Sequence, residues 1–158
     1  MRKVLFALVT AALLAGGAAF AQGMSNMYAG ISVGVASVQG VFGIPVTAHF
    51  GVENVGMQNL DIRADAGFYI TGTGLELGVE GIYNYPVMES LNVYGGLGPR
   101  VLIDVSGGGT WFGFAALGGT EYMVTPNIGL TGEVTVEPYF GSGGGVVIGA
   151  HSGVSYHF

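Results

Sequence analysis

The chain has no cysteine, so it can form neither a disulfide framework nor a thiolate metal site. Charge is scarce: 9% of the 158 residues are Asp, Glu, Lys or Arg, against about 25% in an ordinary soluble domain. Lys3 is the only lysine, and Arg2, Arg63 and Arg100 are the only arginines. The formal charge of −6 argues against nucleic acid as a partner, because nucleic acid selects basic patches. Long apolar runs are missing as well. Beyond the N-terminal segment nothing approaches the ~18 consecutive apolar residues of a membrane helix, although 50% of the chain is hydrophobic.

What is plentiful is glycine, 31 residues where about 7% is usual, together with strict alternation. Residues 1–21 read as a signal peptide. Arg2 and Lys3 open it, an apolar stretch follows, and Ala19-Phe20-Ala21 fits the small-x-small cleavage pattern. Cleavage leaves residues 22–158 as one domain, with two arginines against ten carboxylates, formally −8.

That domain divides into about eight alternating segments of the length a tilted membrane strand needs. They cover residues 28–37, 44–54, 60–70, 75–85, 91–105 and 110–123, a seventh from Ile128, and 145–158. The third is the clearest: Ile62, Ala64, Ala66 and Phe68 alternate with Asp61, Arg63, Asp65 and Gly67, and a period of two sends these sets to opposite faces. Pro99 cannot donate to a ladder and predicts a bulge or break in the fifth segment. Residues 71–74 and 86–90 read as turns, and pairing across the first sets Asp65 opposite Glu80.

Charges keep to the face away from the aliphatics. A soluble barrel would turn the aliphatics inward and protect its surface with charge, lysine above all. The inverted arrangement explains the composition better. Aliphatics meet lipid, Tyr83, Tyr85, Tyr122, Tyr156 and Phe158 sit at the interface, and the charges point into the lumen. The expected lumen network is Glu53, Asp61, Arg63, Asp65, Glu76, Glu80, Arg100, Glu121, Glu133 and Glu137, with Asp104 as a further inward carboxylate. Two arginines cannot compensate so many anions, so several carboxylates are expected to be protonated, solvated or cation-bound.

Two stretches point to a family. The chain ends GVVIGAHSGVSYHF, an alternating strand that closes on Tyr156 and Phe158, and residues 119–133 read GTEYMVTPNIGLTGE, with Glu121 inward and Tyr122 outward before a Thr-Pro-Asn turn. In these features the chain resembles the small outer-membrane β-barrel proteins (the OmpA transmembrane domain, OmpX and OmpW-like proteins). The resemblance implies an all-β, eight-stranded antiparallel up-and-down transmembrane barrel in the cell outer membrane, monomeric, with both ends in the periplasm. It also implies two partners, outer-membrane lipid and a barrel-assembly machinery that reads Tyr156 and Phe158. Members usually carry longer outer loops than residues 38–43, 71–74, 106–109 and 141–145 here. Loops carry most barrel-specific recognition, so their shortness argues against an adhesin or receptor.

Other constellations carry less. His49 and His151 share the lumen face, but isolated histidines without a spaced motif do not define a metal site, and no metal or cofactor is expected. His151 and Ser152 point to opposite faces, and Ser155 with His157 lacks an evident carboxylate to orient it. The glycine runs lack the Lys-Ser/Thr of a phosphate loop. The sequence therefore predicts a non-enzymatic membrane barrel with a structural, envelope-integrity role. The alternatives are a narrow cation-preferring channel and a soluble periplasmic barrel that binds a small ligand.

Overall fold

A computed structural model describes residues 26–38 and 41–158. The expected signal peptide lies outside the described residues. The strands are β1 (Met27–Val38), β2 (Val41–Gly43), β3 (Pro45–Val52), β4 (Leu60–Tyr69), β5 (Gly74–Met88), β6 (Leu91–Asp104), β7 (Gly109–Thr125), β8 (Ile128–Phe140) and β9 (Val146–His157). From β3 to β9 each strand pairs antiparallel with the next, and β1 pairs antiparallel with β2, β3 and β9, which closes the sheet. Closure pairs the first stave with the last, as a structure in lipid requires.

The strands β2 and β3 form a single stave, so the barrel has eight. Both pair with β1 in one continuous register, from Ala36↔Gly43 to Val33↔Val46. The interruption falls at Ile44 and Pro45. Proline has no N–H to give β1, and Ile44 turns its own N–H to Thr71 Oγ1 at 3.0 Å.

Alternation decides what faces outward. In β4 Asp61, Arg63 and Asp65 are buried while Ile62, Ala64 and Ala66 are exposed. Around the barrel Ile31, Val33, Leu77, Val79, Leu130, Val134 and Ile148 stand on the outside. Tyr83, Tyr85, Tyr122 and Tyr156 are also exposed, all toward the end where Met27 and His157 lie, and Phe112, Phe114 and Phe140 belong to the opposite end. An apolar belt between aromatic rims is the surface of a transmembrane barrel. This overturns the soluble alternative, which needs the aliphatics inside.

Three local expectations need correction. The strand β6 is not broken at Pro99: the register with β7 runs through Pro99↔Phe114, and the register with β5 is the same on either side, from Gly78↔Arg100 to Gly81↔Leu97. Proline here costs ladder bonds on one side without shifting any residue. The turn after β4 is longer than residues 71–74, because pairing begins at Phe68↔Leu75 and sets Arg63, not Asp65, opposite Glu80. Slipping by two preserves every face but exchanges a like-charge pair for an opposite-charge one. Finally, β5 continues through Pro86 to Met88 and absorbs the irregularity as a bulge between Pro86 and Met88.

The interior is not uniformly polar. Toward the outer turns, meaning the end opposite Met27 and His157, Ala36, Tyr139 and Val147 pack with Tyr69, Leu102 and Trp111. Ile82, Tyr94 and Leu117 line one wall lower down.

Candidate functional site

The charged lumen residues come from β4, β5, β6, β7 and β8, delivered by strand parity, and from Glu53, the residue after β3. Arg63 is 6% and Arg100 4% exposed, and each joins carboxylates from several strands. Nη1 and Nη2 of Arg63 donate to the two oxygens of Glu133 at 2.7 and 3.2 Å, a forked contact across the barrel. Its Nη2 also reaches Asp65 Oδ2 at 3.1 Å. Arg100 donates to Asp65 Oδ2 at 2.9 Å and to Glu76. Its Nε lies 2.8 Å from Glu80 Oε1, and Glu137 stands 3.8 Å from Nη1. Glu80, 1% exposed, also lies 3.8 Å from Nε of Arg63. The two guanidiniums therefore share Asp65 and Glu80 between them.

Gly78 makes this sharing possible. It sits between Asp65 on β4 and Arg100 on β6, and a Cβ there would fall 2.6 Å from Glu80 Oε1 and 2.9 Å from Arg100 Nε. Three tyrosines complete the network. Tyr94 donates to Glu133 at 3.1 Å and Tyr69 to Glu76 at 3.2 Å. The Tyr139 hydroxyl lies 3.0 Å from Glu76 Oε2 and 3.1 Å from Glu137 Oε2. A hydroxyl has one proton to donate, so its second contact is a hydrogen bond only when one of these carboxyls is protonated. Five carboxylates on two guanidiniums leave −3 if all are ionised, in a site from which water is largely excluded.

The ten expected residues do not form one network. Glu53, Asp61 and Glu121 stand apart, near the end where Met27 and His157 lie. Asp61 accepts from the Asn54 backbone N–H at 3.0 Å and from the Asn84 side-chain amide at 2.6 Å. Glu53 and Glu121 grip His157 from both sides: Nδ1 is 2.7 Å from Glu53 Oε1, and Nε2 is 3.0 Å from Glu121 Oε1. Only imidazolium donates from both nitrogens, so two ionised carboxylates are both satisfied by the charged ring. Tyr28 stacks on that ring with centroids 5.4 Å apart, over Gly51, where any side chain would meet the phenol.

His157 corrects the sequence reading, which found no carboxylate orienting Ser155 and His157. Two are present, delivered by β7 and by the residue after β3. The arrangement still does not prepare a nucleophile: Ser155 donates to Glu121, and its oxygen is 3.4 Å from His157 Nε2. Asp104 is a second correction, because it lies at the outer turn and not in the lumen, taking hydrogen bonds from Thr73 at 2.6 Å and from the Ser106 N–H at 2.8 Å. His49 and His151 do face inward, but among the described residues no three His, Asp or Glu gather at metal-ligating distance. Tyr69 shares its face with Asp61, Arg63 and Asp65 in the sequence pattern, but Tyr94 and Tyr139 have no comparable run of charged neighbours. Tyr94 shares parity with Arg100, and Tyr139 with Glu137, so alternation could have placed both in the lumen.

The lumen holds a cavity of about 220 Å³. It is lined from Asn54, Asn59 and His157 at one end to Arg63, Asp65 and Arg100 at its floor. Glu76, Glu137, Tyr139 and Trp111 are not among its walls, so it does not reach the outer turns.

No family model matches this chain, and no curated protein does. Solved structures do. Neisserial surface protein A is 19% identical over 84% of this chain and 96% of that one, with a TM-score of 0.67. A designed transmembrane β-barrel is 18% identical over 87% and 98%, at 0.62. The N-terminal β-barrel domain of Pseudomonas aeruginosa OprF is 14% identical over 84% and 100%, at 0.60. At such identities the likeness is one of fold: the chain folds as a small outer-membrane β-barrel.

Proposed function

We propose that this chain is an integral outer-membrane protein whose barrel is closed by a fixed ionic plug and whose role is structural, supporting envelope integrity without catalysis. Export by the leader at residues 1–21 and insertion guided by Tyr156 and Phe158 belong to the same reading, as does a monomeric state. The observation that carries it is the pair of shared arginines beneath the apolar cap of Tyr139, Val147 and Trp111. Five carboxylates, two guanidiniums and three phenols hold each other across four strands, a design that favours rigidity over passage. Short outer turns add little surface for a partner.

The competing reading is a narrow cation-preferring channel, favoured by the excess of lumen carboxylates. Planar-bilayer recordings separate the two. The plug predicts no discrete conductance steps from the folded protein, and a deletion strain with increased sensitivity to detergents. Steps that weaken in Glu80→Gln or Glu133→Gln would overturn the plug in favour of the channel. Gel mobility in SDS, with and without boiling, establishes beforehand that each sample is a folded barrel.

A further inference from the structure

The polar chamber stops at the arginines, and what shuts the lumen on the far side of their carboxylates is apolar. Ala36 is 3%, Tyr139 6% and Val147 1% exposed, and Tyr69, Leu102 and Trp111 pack against them. These inward positions belong to β1, β8, β9, β4, β6 and β7.

The two remaining staves complete the ring with glycines. A Cβ at Gly43 on β2 would lie 2.9 Å from Cδ1 of Tyr69. One at Gly74 on β5 would lie 3.0 Å from Cδ2 of the same ring and 3.3 Å from Cδ1 of Leu102. Tyr69 therefore fills the space that these glycines leave, and every stave takes part in one apolar cross-section. Only the phenol oxygens of Tyr69 and Tyr139 leave it, to meet Glu76 and Glu137 of the plug.

Trp111 is held from the outer side. Its Nε1 donates to the Ser142 carbonyl at 3.0 Å, in the turn between β8 and β9. Gly141 and Gly143 of that turn have φ of 115° and 79°, values that glycine adopts freely. A Cβ at Gly141 would lie 3.7 Å from Cδ1 of the indole, and one at Gly143 3.9 Å from Nε1. The turn thus lies against the ring and satisfies its N–H.

We propose that this cross-section is a second seal in series with the plug, a dry constriction whose key is Trp111, and that it keeps the lumen shut when the plug is opened. The inference rests on the plug reading and adds what backs the plug. An ion crosses a narrow pore only where the wall replaces its lost water. Here the wall offers ring and methyl carbons, and an apolar constriction excludes water as well. Removing charges from the plug leaves that barrier in place. Removing the indole, the largest side chain of the section, opens a path through it.

The test is conductance of the folded full-length barrel in planar bilayers, after heat-modifiable gel mobility has established that each variant is folded. Arg63→Ala with Glu133→Ala removes the forked contact that crosses the barrel and leaves the net charge unchanged. This double variant should be as silent as the parent. Trp111→Ala alone should be silent too, because the plug stands. Discrete steps should appear when the three substitutions are combined, and should fall when Trp111→Phe, which keeps an apolar ring, replaces Trp111→Ala. Where Trp111→Ala does not fold, Leu102→Ala takes its place, and Arg63→Gln with Glu133→Gln does the same for the plug. The proposal is overturned if the double variant conducts as fully as the triple one, or if the triple variant stays silent. Conductance by the parent is a separate failure, which sinks the plug reading and the seal with it; a silent parent with a conducting double variant sinks the seal alone.

Discussion

Replacing Arg100 with methionine removes a cation that touches four carboxylates and keeps only the apolar stem of the side chain. Arg100 is 4% exposed, and its partners Asp65 at 2.9 Å, Glu80 at 2.8 Å, Glu76 and Glu137 come from three different strands. Removing one partner of a buried ion pair costs about 3–5 kcal/mol, because the other charge is stranded. Here Asp65 and Glu80 keep a share of Arg63, whereas Glu76 and Glu137 are left with neutral hydroxyls. The expected loss is therefore about 3–5 kcal/mol, carried mainly by the Glu76–Glu137 side. The assay is reversible urea unfolding in lipid vesicles. The single tryptophan, Trp111, is its reporter, since its Nε1 donates to the Ser142 carbonyl at 3.0 Å in the outer cap.

A further measurement tests the cause. Adding Glu76→Gln to Arg100→Met should restore part of the loss, because it removes the charge left without a partner; contacting residues couple by about 0.5–3 kcal/mol. A deficit below about 1 kcal/mol, or one that does not change with Glu76→Gln, would refute the view that Arg100 organises the lumen.

Other consequences are simpler to read. Tyr139→Phe should cost about 1–3 kcal/mol, since it deletes a hydroxyl that serves two carboxylates, and the same unfolding assay measures it. Val79→Arg puts a charge on the lipid face beside the inward Glu80 and should destabilise the barrel by about 2–4 kcal/mol if it lies near the midplane; no loss would place Val79 outside the hydrocarbon. Gly98→Val should be severe, because a side chain there meets the Val79 carbonyl and the Glu80 backbone, which cannot swing aside as a side chain can. An unboiled gel band that no longer runs fast is its signature.

Which side chains face lipid and which face the lumen is legible in the alternation alone, because a strand of period two divides its residues without reference to any partner. The segregation of Asp61, Arg63, Asp65, Glu80 and Glu133 from Ile62, Val79 and Val134 was readable for that reason, as were the membrane barrel and its eight staves. Faces do not specify neighbours. Whether Arg63 stands opposite Glu80 or Asp65 does depends on a two-residue slip that alternation cannot detect, and the length of the turn after Tyr69 settled it. Pro99 looked like a break, but the pairing with β7 on the strand's other side carries it through. Closure of the barrel was likewise needed to join β4 with β8 and let Arg63 reach Glu133, seventy positions away in sequence. Closure also brought Glu53 and Glu121 to the two sides of His157. Those contacts, and the division of the lumen into a locked outer half and an open polar chamber, are consequences of shear and curvature, which arise when eight staves close and which no single strand encodes.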